Sequence, residues 1–224
     1  MVATTTNPTQ RVSRPSPYLW VTWLSRLLAG EDSCEWAAWF KGHYKNYEKI
    51  RSEYQLSIWQ MNHGALLNQL QDQLQSEGKA VFLESQNSFV LRGATASLGG
   101  KPDLIALSGN NGTIYDVKTG APHVSHHIQV MVYQYAIPRA LPQYKGITFD
   151  GKVVYPDHTV DIPSTAIDEA FIRNLSGLIK RVSSGDPALK VPSPKECQFC
   201  DIAPGDCPER VVQKEGREGV TDDF

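Results

Sequence analysis

The sequence predicts an α/β protein, and three observations carry that prediction. Extended, β-prone segments crowd the middle of the chain, at residues 79–84, 88–92, 100–107, 114–118 and 151–155. Segments with apolar residues at helical spacing stand around them, at residues 18–28, 32–44, 57–74, 125–136 and 165–182. Between Leu107 and Ile114 lies Ser108-Gly109-Asn110-Asn111-Gly112-Thr113, dense in turn residues, so the central pair reads as a β-hairpin. At 224 residues and 41% hydrophobic, the chain suits one domain with a real core.

Residues 1–14, rich in Thr, Asn and Pro, read as a disordered lead-in. Ser16-Pro17 offers an N-cap followed by proline at the first helical position, and Leu19, Trp20, Trp23, Leu24, Leu27 and Leu28 follow at helical spacing up to Gly30. A second helix, from Asp32 or Ser33, carries Cys34, Trp36, Trp39, Phe40 and Tyr44, an aromatic set that suits a core. The helix at 57–74 sets Leu56, Trp59, His63, Leu66, Leu67, Leu70 and Leu74 largely on one face. His63 is the polar ring in that stripe, a core residue or a ligand.

Residues 79–84 and 88–92 are strands that turn at Gln86-Asn87. After the hairpin, residues 119–122 break the strand, and 125–136 form a helix that ends before Pro138. Gln129 and Tyr133 share a face of it at i and i+4. Residues 151–155 are a short strand, 165–182 an amphipathic helix and 187–196 an extended connector. A charged, loose tail follows from Glu209.

The hairpin carries the chemistry. Asp116 and Lys118 are two apart on a strand and so share a face. If Leu107 pairs with Ile114, Asp103 falls opposite Lys118 on that face. Two carboxylates and an ammonium then converge, and hard oxygen ligands suit Mg²⁺ or Mn²⁺. A solvated hairpin with ordinary surface charges is the competing reading. The surroundings favour the first: from Ser85 to Phe149 the only acids are Asp103 and Asp116, where about seven would be a proportional share. The same window holds Arg92, Lys101, Lys118, Arg139, Lys145, His123, His126 and His127. A polyanion meets little repulsion there.

The net charge of −2 excludes a chain basic throughout, so contact with DNA rests on a local patch. No secretory signal is visible, and residues 18–28 are too short, and interrupted by Arg26, to span a bilayer. The expectation is a cytosolic protein that engages no membrane. No Gly-Lys pair is followed by Ser or Thr, which removes a P-loop NTPase. Cys197-x₂-Cys200-x₆-Cys207 has metal-type spacing, and Cys34 lies far upstream. Zinc and an iron–sulfur cluster both fit four cysteines, and disulfides are the third choice.

These features together resemble the PD-(D/E)XK nuclease superfamily, and within it the RecB-like branch with an iron–sulfur cluster, including CRISPR-associated exonucleases and AddB-type nuclease domains. The resemblance rests on five components in order: an upstream cysteine, a helical histidine, the Asp103…Asp116-Val117-Lys118 hairpin, the Gln129…Tyr133 helix and three C-terminal cysteines. Two details differ from many relatives: Cys34 is followed by Glu35-Trp36 rather than by proline, and Asp116 stands where glutamate is common.

The resemblance implies a restriction-endonuclease-like core with a central mixed sheet flanked by helices, and a metal cluster joining the N-terminal helical part to the cysteine-rich C-terminal segment. It implies a nuclease domain over 15–208, divided into a helical part at 15–77, a catalytic sheet at 78–160 and a C-terminal helix with the cysteines at 161–208. It implies that His63, Asp103, Asp116 and the Val117 carbonyl hold Mn²⁺ or Mg²⁺. Lys118 would act on the attacking water, Gln129 and Tyr133 would contact DNA, and Cys34, Cys197, Cys200 and Cys207 would bind a [4Fe–4S] cluster. The implied activity is exonucleolytic cleavage of single-stranded DNA ends, alongside CRISPR adaptation or recombination proteins. The alternatives are a non-catalytic DNA-binding subunit of the same fold and a zinc-stapled scaffold.

Overall fold

The computed structural model describes residues 11–50 and 56–211. The first half of the chain forms β1 (Val12–Ser13), β2 (Tyr18–Trp20), α1 (Val21–Leu28), α2 (Glu35–His43), β3 (Tyr44–Lys45), α3 (Leu56–Ser76), β4 (Ala80–Leu83), α4 (Glu84–Asn87), β5 (Phe89–Arg92) and β6 (Ser97–Gly100). Then come β7 (Leu104–Ser108), β8 (Asn111–Val117), α5 (Val124–Ala140), β9 (Thr148–Val154), β10 (Thr159–Ile162), α6 (Glu169–Val182) and α7 (Pro194–Cys197). Among the described residues the strands form a five-stranded sheet in the order β10-β9-β8-β7-β4, a three-stranded sheet in the order β2-β6-β5, and the β1–β3 pair.

The larger sheet is mixed. β8 and β9 are parallel, and the other neighbours are antiparallel. Helices cover both of its faces because the side chains of β7 and β8 alternate. Leu104, Ala106, Tyr115 and Val117 pack with Leu67, Leu70 and Leu74 of α3. Ile105 and Ile114 face the other way, into a core shared with Val132, Tyr133, Ala136 and Ile137 of α5. Each wholly buried aliphatic residue of this kind contributes about 1.5–3 kcal/mol. Asp116 has the parity of Ile114, so its carboxylate points at α5 and into the protein.

Several elements differ from the sequence expectation. Tyr18–Trp20 is a strand, parallel to β6, and the helix begins only at Val21. Apolar residues at helical spacing carried the expectation, but sheet pairing decides the backbone here. Residues 79–84 and 88–92 do not form a hairpin: β4 pairs with β7, β5 pairs with β6, and the one-turn α4 carries the chain between the sheets. Asn87 supports that crossing, donating to the Phe82 carbonyl and accepting from the Tyr144 hydroxyl. Helix α5 continues past Pro138 to Ala140, since a proline in the last turn breaks only one ladder bond. Helix α6 begins at Glu169, where the Asp168 carboxylate accepts from the Phe171 amide as an N-cap. The lead-in is ordered from β1 onward, and residues 1–10 and 212–224 lie outside the described residues, as do the side chains of Leu56 and Trp59.

The two ends of the described chain meet. The Trp36 amide donates to the Leu189 carbonyl, the Cys34 amide to Glu196 Oε2, and the Tyr47 hydroxyl to Asp201 Oδ2. Arg181 clasps Glu35 with both nitrogens of its fork. No helix among the described residues is long and apolar enough to cross a membrane.

Candidate active site

Strands β7 and β8 close on Gly109-Asn110. Gly109 takes φ 60°, the left-handed value that suits the first central position of a two-residue hairpin turn. The ladder then pairs Ser108 with Asn111, Leu107 with Gly112 and Leu104 with Tyr115. The expected Leu107–Ile114 pairing is therefore out by two, because residues 111–113 are strand rather than loop. Asp103 falls opposite Asp116, not Lys118. A shift of two leaves every side chain on its expected face, and the three charged groups still interact.

Asp103 stands just before β7. Its Oδ2 accepts from the Val117 amide at 2.7 Å and lies 3.3 Å from His63 Nε2 on α3. That hydrogen bond first, opposed by burial, raises the His63 pKa above its ordinary value. Asp116 sits on an interior strand and is 1% exposed. Its Oδ1 accepts from Gln129 Nε2 at 3.0 Å. Its Oδ2 is buried with no well-directed hydrogen bond, and the Lys118 ammonium stands 2.6 Å from it as an ion pair. Burial first, then the charge of Asp103, pushes Asp116 up to about 6 against the pull of Lys118. Burial works to lower the Lys118 pKa, but Asp116 outweighs it and the ammonium is retained.

Gln129 and Tyr133 lie directly behind Asp116. Gln129 Nε2 also reaches the Tyr133 hydroxyl at 3.1 Å, and that hydroxyl donates to the Lys101 carbonyl at 3.3 Å. Both are buried, Tyr133 being 2% exposed. Their polar ends face Asp116 and the backbone before Asp103.

Sequence reasoning missed two neighbours of this centre. Glu84, which caps the end of β4, pairs with Lys101 and marks the edge of the acid-poor window. His126 lies one turn before Gln129 and bonds the Tyr155 hydroxyl through Nδ1 at 2.8 Å. Burial, and then the charge of Lys118, pushes His126 down to about 4, so a neutral ring adjoins the lysine. The cluster of histidines in the window was the available signal.

The donor set suits a hard divalent cation. Among the described residues no three His, Cys, Asp or Glu side chains form a ready-made cage. Mg²⁺ does not require one, since it keeps several waters and binds through one or two carboxylates. The buried Asp116 Oδ2 opposite Asp103, held by the Lys118 ion pair and by no well-directed hydrogen bond, is the kind of oxygen such an ion satisfies.

A family model for the PD-(D/E)XK nuclease superfamily matches residues 23–204. The chain belongs to this superfamily. Among solved structures, the crystal structure of SSO0001 is similar at 17% sequence identity and a TM-score of 0.41, over 84% of this chain and 85% of that one. No curated protein matches the chain.

This superfamily member also gathers four cysteines, and among the described residues these too form no ready-made metal cage. Cys34, at the N-cap of α2, and Cys197, Cys200 and Cys207 line one cavity of about 370 Å³. None is in a disulfide. Burial pushes the Cys34 and Cys207 thiols up. Arg26, Lys41, Lys190 and Arg210 line the cavity together with Asp32 and Glu196, so its charge is mixed, and Glu196 adds to the rise of Cys34. Arg210 donates to the carbonyls of Cys200 at 2.8 Å and Ile202 at 3.0 Å, and also to that of Cys197. Soft thiolates fit zinc or an iron–sulfur cluster.

Proposed function

We propose that this chain is a metal-dependent deoxyribonuclease acting as an exonuclease on single-stranded DNA ends. The observation that carries the reading is Asp116, a wholly buried carboxylate opposite Asp103 whose Oδ2 is held, among the described residues, by the Lys118 ion pair alone. Such a group is costly unless something completes it.

Asp103, Asp116 and His63 would hold Mn²⁺ or Mg²⁺, with the Val117 carbonyl as a further ligand. The ion, when bound, supplies Lewis-acid stabilisation of the scissile phosphate and lowers the pKa of a bound water. Lys118, held charged by Asp116, donates to the attacking oxygen and offsets negative charge that develops on the phosphoryl oxygens. Gln129 fixes the Asp116 carboxylate plane, and Tyr133 fixes Gln129. These two are positioning residues in this reading, not DNA contacts. Asp103 ties the end of the hairpin through the Val117 amide, so the two carboxylates cannot drift apart.

Cys34, Cys197, Cys200 and Cys207 would hold a [4Fe–4S] cluster with a structural role. Their common cavity supports this, as does the order of the five sequence components shared with the iron–sulfur RecB-like branch. That branch points to CRISPR adaptation or recombination as the setting. Zinc is the other occupant those thiols suit, and metal analysis of anaerobically purified protein separates about four irons from about one zinc.

Digestion of end-labelled single- and double-stranded DNA with Mn²⁺, Mg²⁺ or EDTA tests the activity. Metal-dependent, end-initiated loss of the single strand is the expected result. Intact DNA under all three conditions would leave a non-catalytic DNA-binding role.

A further inference from the structure

The second sheet turns one face toward α5, where Phe89 meets the Tyr133 ring edge-on and Leu19 and Leu98 are buried. Its other face is aromatic and basic. Trp20, Gly99 and Val90 form one row across β2, β6 and β5, and Tyr18, Ser97 and Arg92 form the row two residues further on. Pleat alternation puts both rows on this outer face. Trp20 is 37% and Val90 44% exposed. Tyr18 meets Trp20 edge to face at 5.9 Å, and the Arg14 guanidinium lies 5.6 Å from the Tyr18 ring centre. The Tyr18 ring lies over Gly99, where a Cβ would meet the ring and hydroxyl and push them aside. The result is an outer face with the Tyr18 ring between Trp20 and Val90.

Charge and position both say what this face suits. Residues 11–30 and 85–102 contain no Asp or Glu. Arg92 is exposed and makes no ion pair among the described residues, and Arg14 Nε is a buried donor without an acceptor. Gly99 is four residues from Asp103, at most about 14 Å of chain. The Trp20 row is the end of this face nearer Asp103 along the chain, and Lys101, paired with Glu84, lies between the two.

We propose that this face is the track along which single-stranded nucleic acid approaches the catalytic centre. Bases stack on Trp20 and Tyr18, and Arg14, Arg92 and Lys101 take the phosphates. Exposed aromatic rings beside a basic path recognise unpaired bases, whose π-faces are free, whereas a duplex keeps its own bases stacked. The inference deepens the nuclease reading, but its test does not need cleavage.

Binding is measured in EDTA by fluorescence anisotropy of end-labelled oligo-dT, with full-length wild type, Trp20→Ala, Trp20→Phe and an Arg14→Gln/Arg92→Gln double variant. Trp20→Ala weakens binding about tenfold, and Trp20→Phe keeps most of it. The double variant flattens the slope of log affinity against log salt by about 1–2. Affinity for a blunt duplex changes less than about twofold in the tryptophan variants. Unchanged oligo-dT affinity and salt slope in folded variants overturn the proposal. So does sedimentation showing that Trp20→Ala splits a dimer, which would make the face a contact with a second copy. Should Trp20→Ala fail to fold, Trp20→Phe and the arginine variant decide. Weakened binding in the variants with DNA left uncut by wild type in Mn²⁺ sinks the nuclease reading alone. Normal cutting with unchanged binding sinks the track alone.

Discussion

Asp116 is held by its neighbours along an interior strand, between β7 and β9, with Gln129 of the covering helix fixing one oxygen. Cys34 and Cys207 are gathered from opposite ends of the chain, through the Cys34 amide on Glu196 and the Arg210 fork on the cysteine loop. The first centre inherits its geometry from a hydrogen-bond ladder that exists whether or not a ligand is bound. The second depends on contacts that close a very long loop, which is costly in chain entropy. Removing a ligand from the hairpin should therefore cost chemistry, whereas removing one from the cavity should cost stability.

The largest expected effect breaks the comparison at its catalytic end. Asp116→Asn keeps the shape and the Gln129 contact but removes the charge that a divalent ion needs. Cleavage should fall on the order of a thousandfold or more, with the melting temperature within a few degrees of wild type. A variant that cuts DNA at the wild-type rate in Mn²⁺ would sink the assignment. Cys200→Ser is the counterpart. It should lose bound iron and melt roughly 10 °C lower, since thiolate–metal binding energy is also folding energy. Full iron content and wild-type melting would remove Cys200 from the ligand set.

A smaller effect sharpens the role of the buried helix residues. Gln129→Ala frees Asp116 Oδ1 and should weaken Mn²⁺ binding by about 10–100-fold, as loss of a partner to a metal ligand typically does. A loss of DNA affinity with metal affinity unchanged would instead return Gln129 to direct contact with the nucleic acid.

The contrast between the two regions also governs what was legible in the sequence. The side-chain period of a strand is two, so the common face of Asp103, Asp116 and Lys118 survived a register read two residues wrong. The register itself hung on whether residues 111–113 are strand, and Asn-Gly-Thr carries loop chemistry. Strand β2 was not legible at all. Tyr18, Leu19 and Trp20 become a strand only by pairing with Ser97-Leu98-Gly99-Gly100, whose two glycines give little strand signal of their own. The aromatic and basic outer face followed from that pairing and was equally hidden. The spacing of the late cysteines brought them together, and they share a cavity with Cys34 without forming a ready-made cage among the described residues; Arg210 was not legible, since its three acceptors are backbone carbonyls that no side-chain pattern announces.

Acidity should separate the centres further. Asp116 titrates near 6 rather than in the ordinary carboxylate range, and His63 is raised as well. Each must lose its proton to bind a cation, so protons compete with metal on the low side of those values. Mn²⁺ affinity, read from the free-ion electron paramagnetic resonance signal, should fall by up to about tenfold per unit where His63 alone is protonated and by up to about a hundredfold per unit below about 6, where Asp116 is protonated as well. Asp116 adds no further gain well above that. An affinity flat from pH 5 to 8 would show that the buried carboxylate is not a ligand.

The smallest expected effect tests whether the cysteine loop is shaped before metal arrives. Arg210 spans three carbonyls of the loop from a half-buried position. Hydrogen bonds from a charged donor contribute about 1.5–3 kcal/mol each at most, and partial exposure and shared geometry reduce the sum. Arg210→Ala leaves all four thiols in place, so iron content on anaerobic purification should match wild type. The loop carbonyls then lose their donor, and the melting temperature should drop by only a few degrees. The separating measurement is the rate at which a chelator strips the metal, expected to rise several-fold. An unchanged rate would mean that the ligated metal alone sets the loop. A complete failure to load iron would mean that the loop has no shape without Arg210, and that the second centre is preorganised by one side chain much as the first is by its ladder.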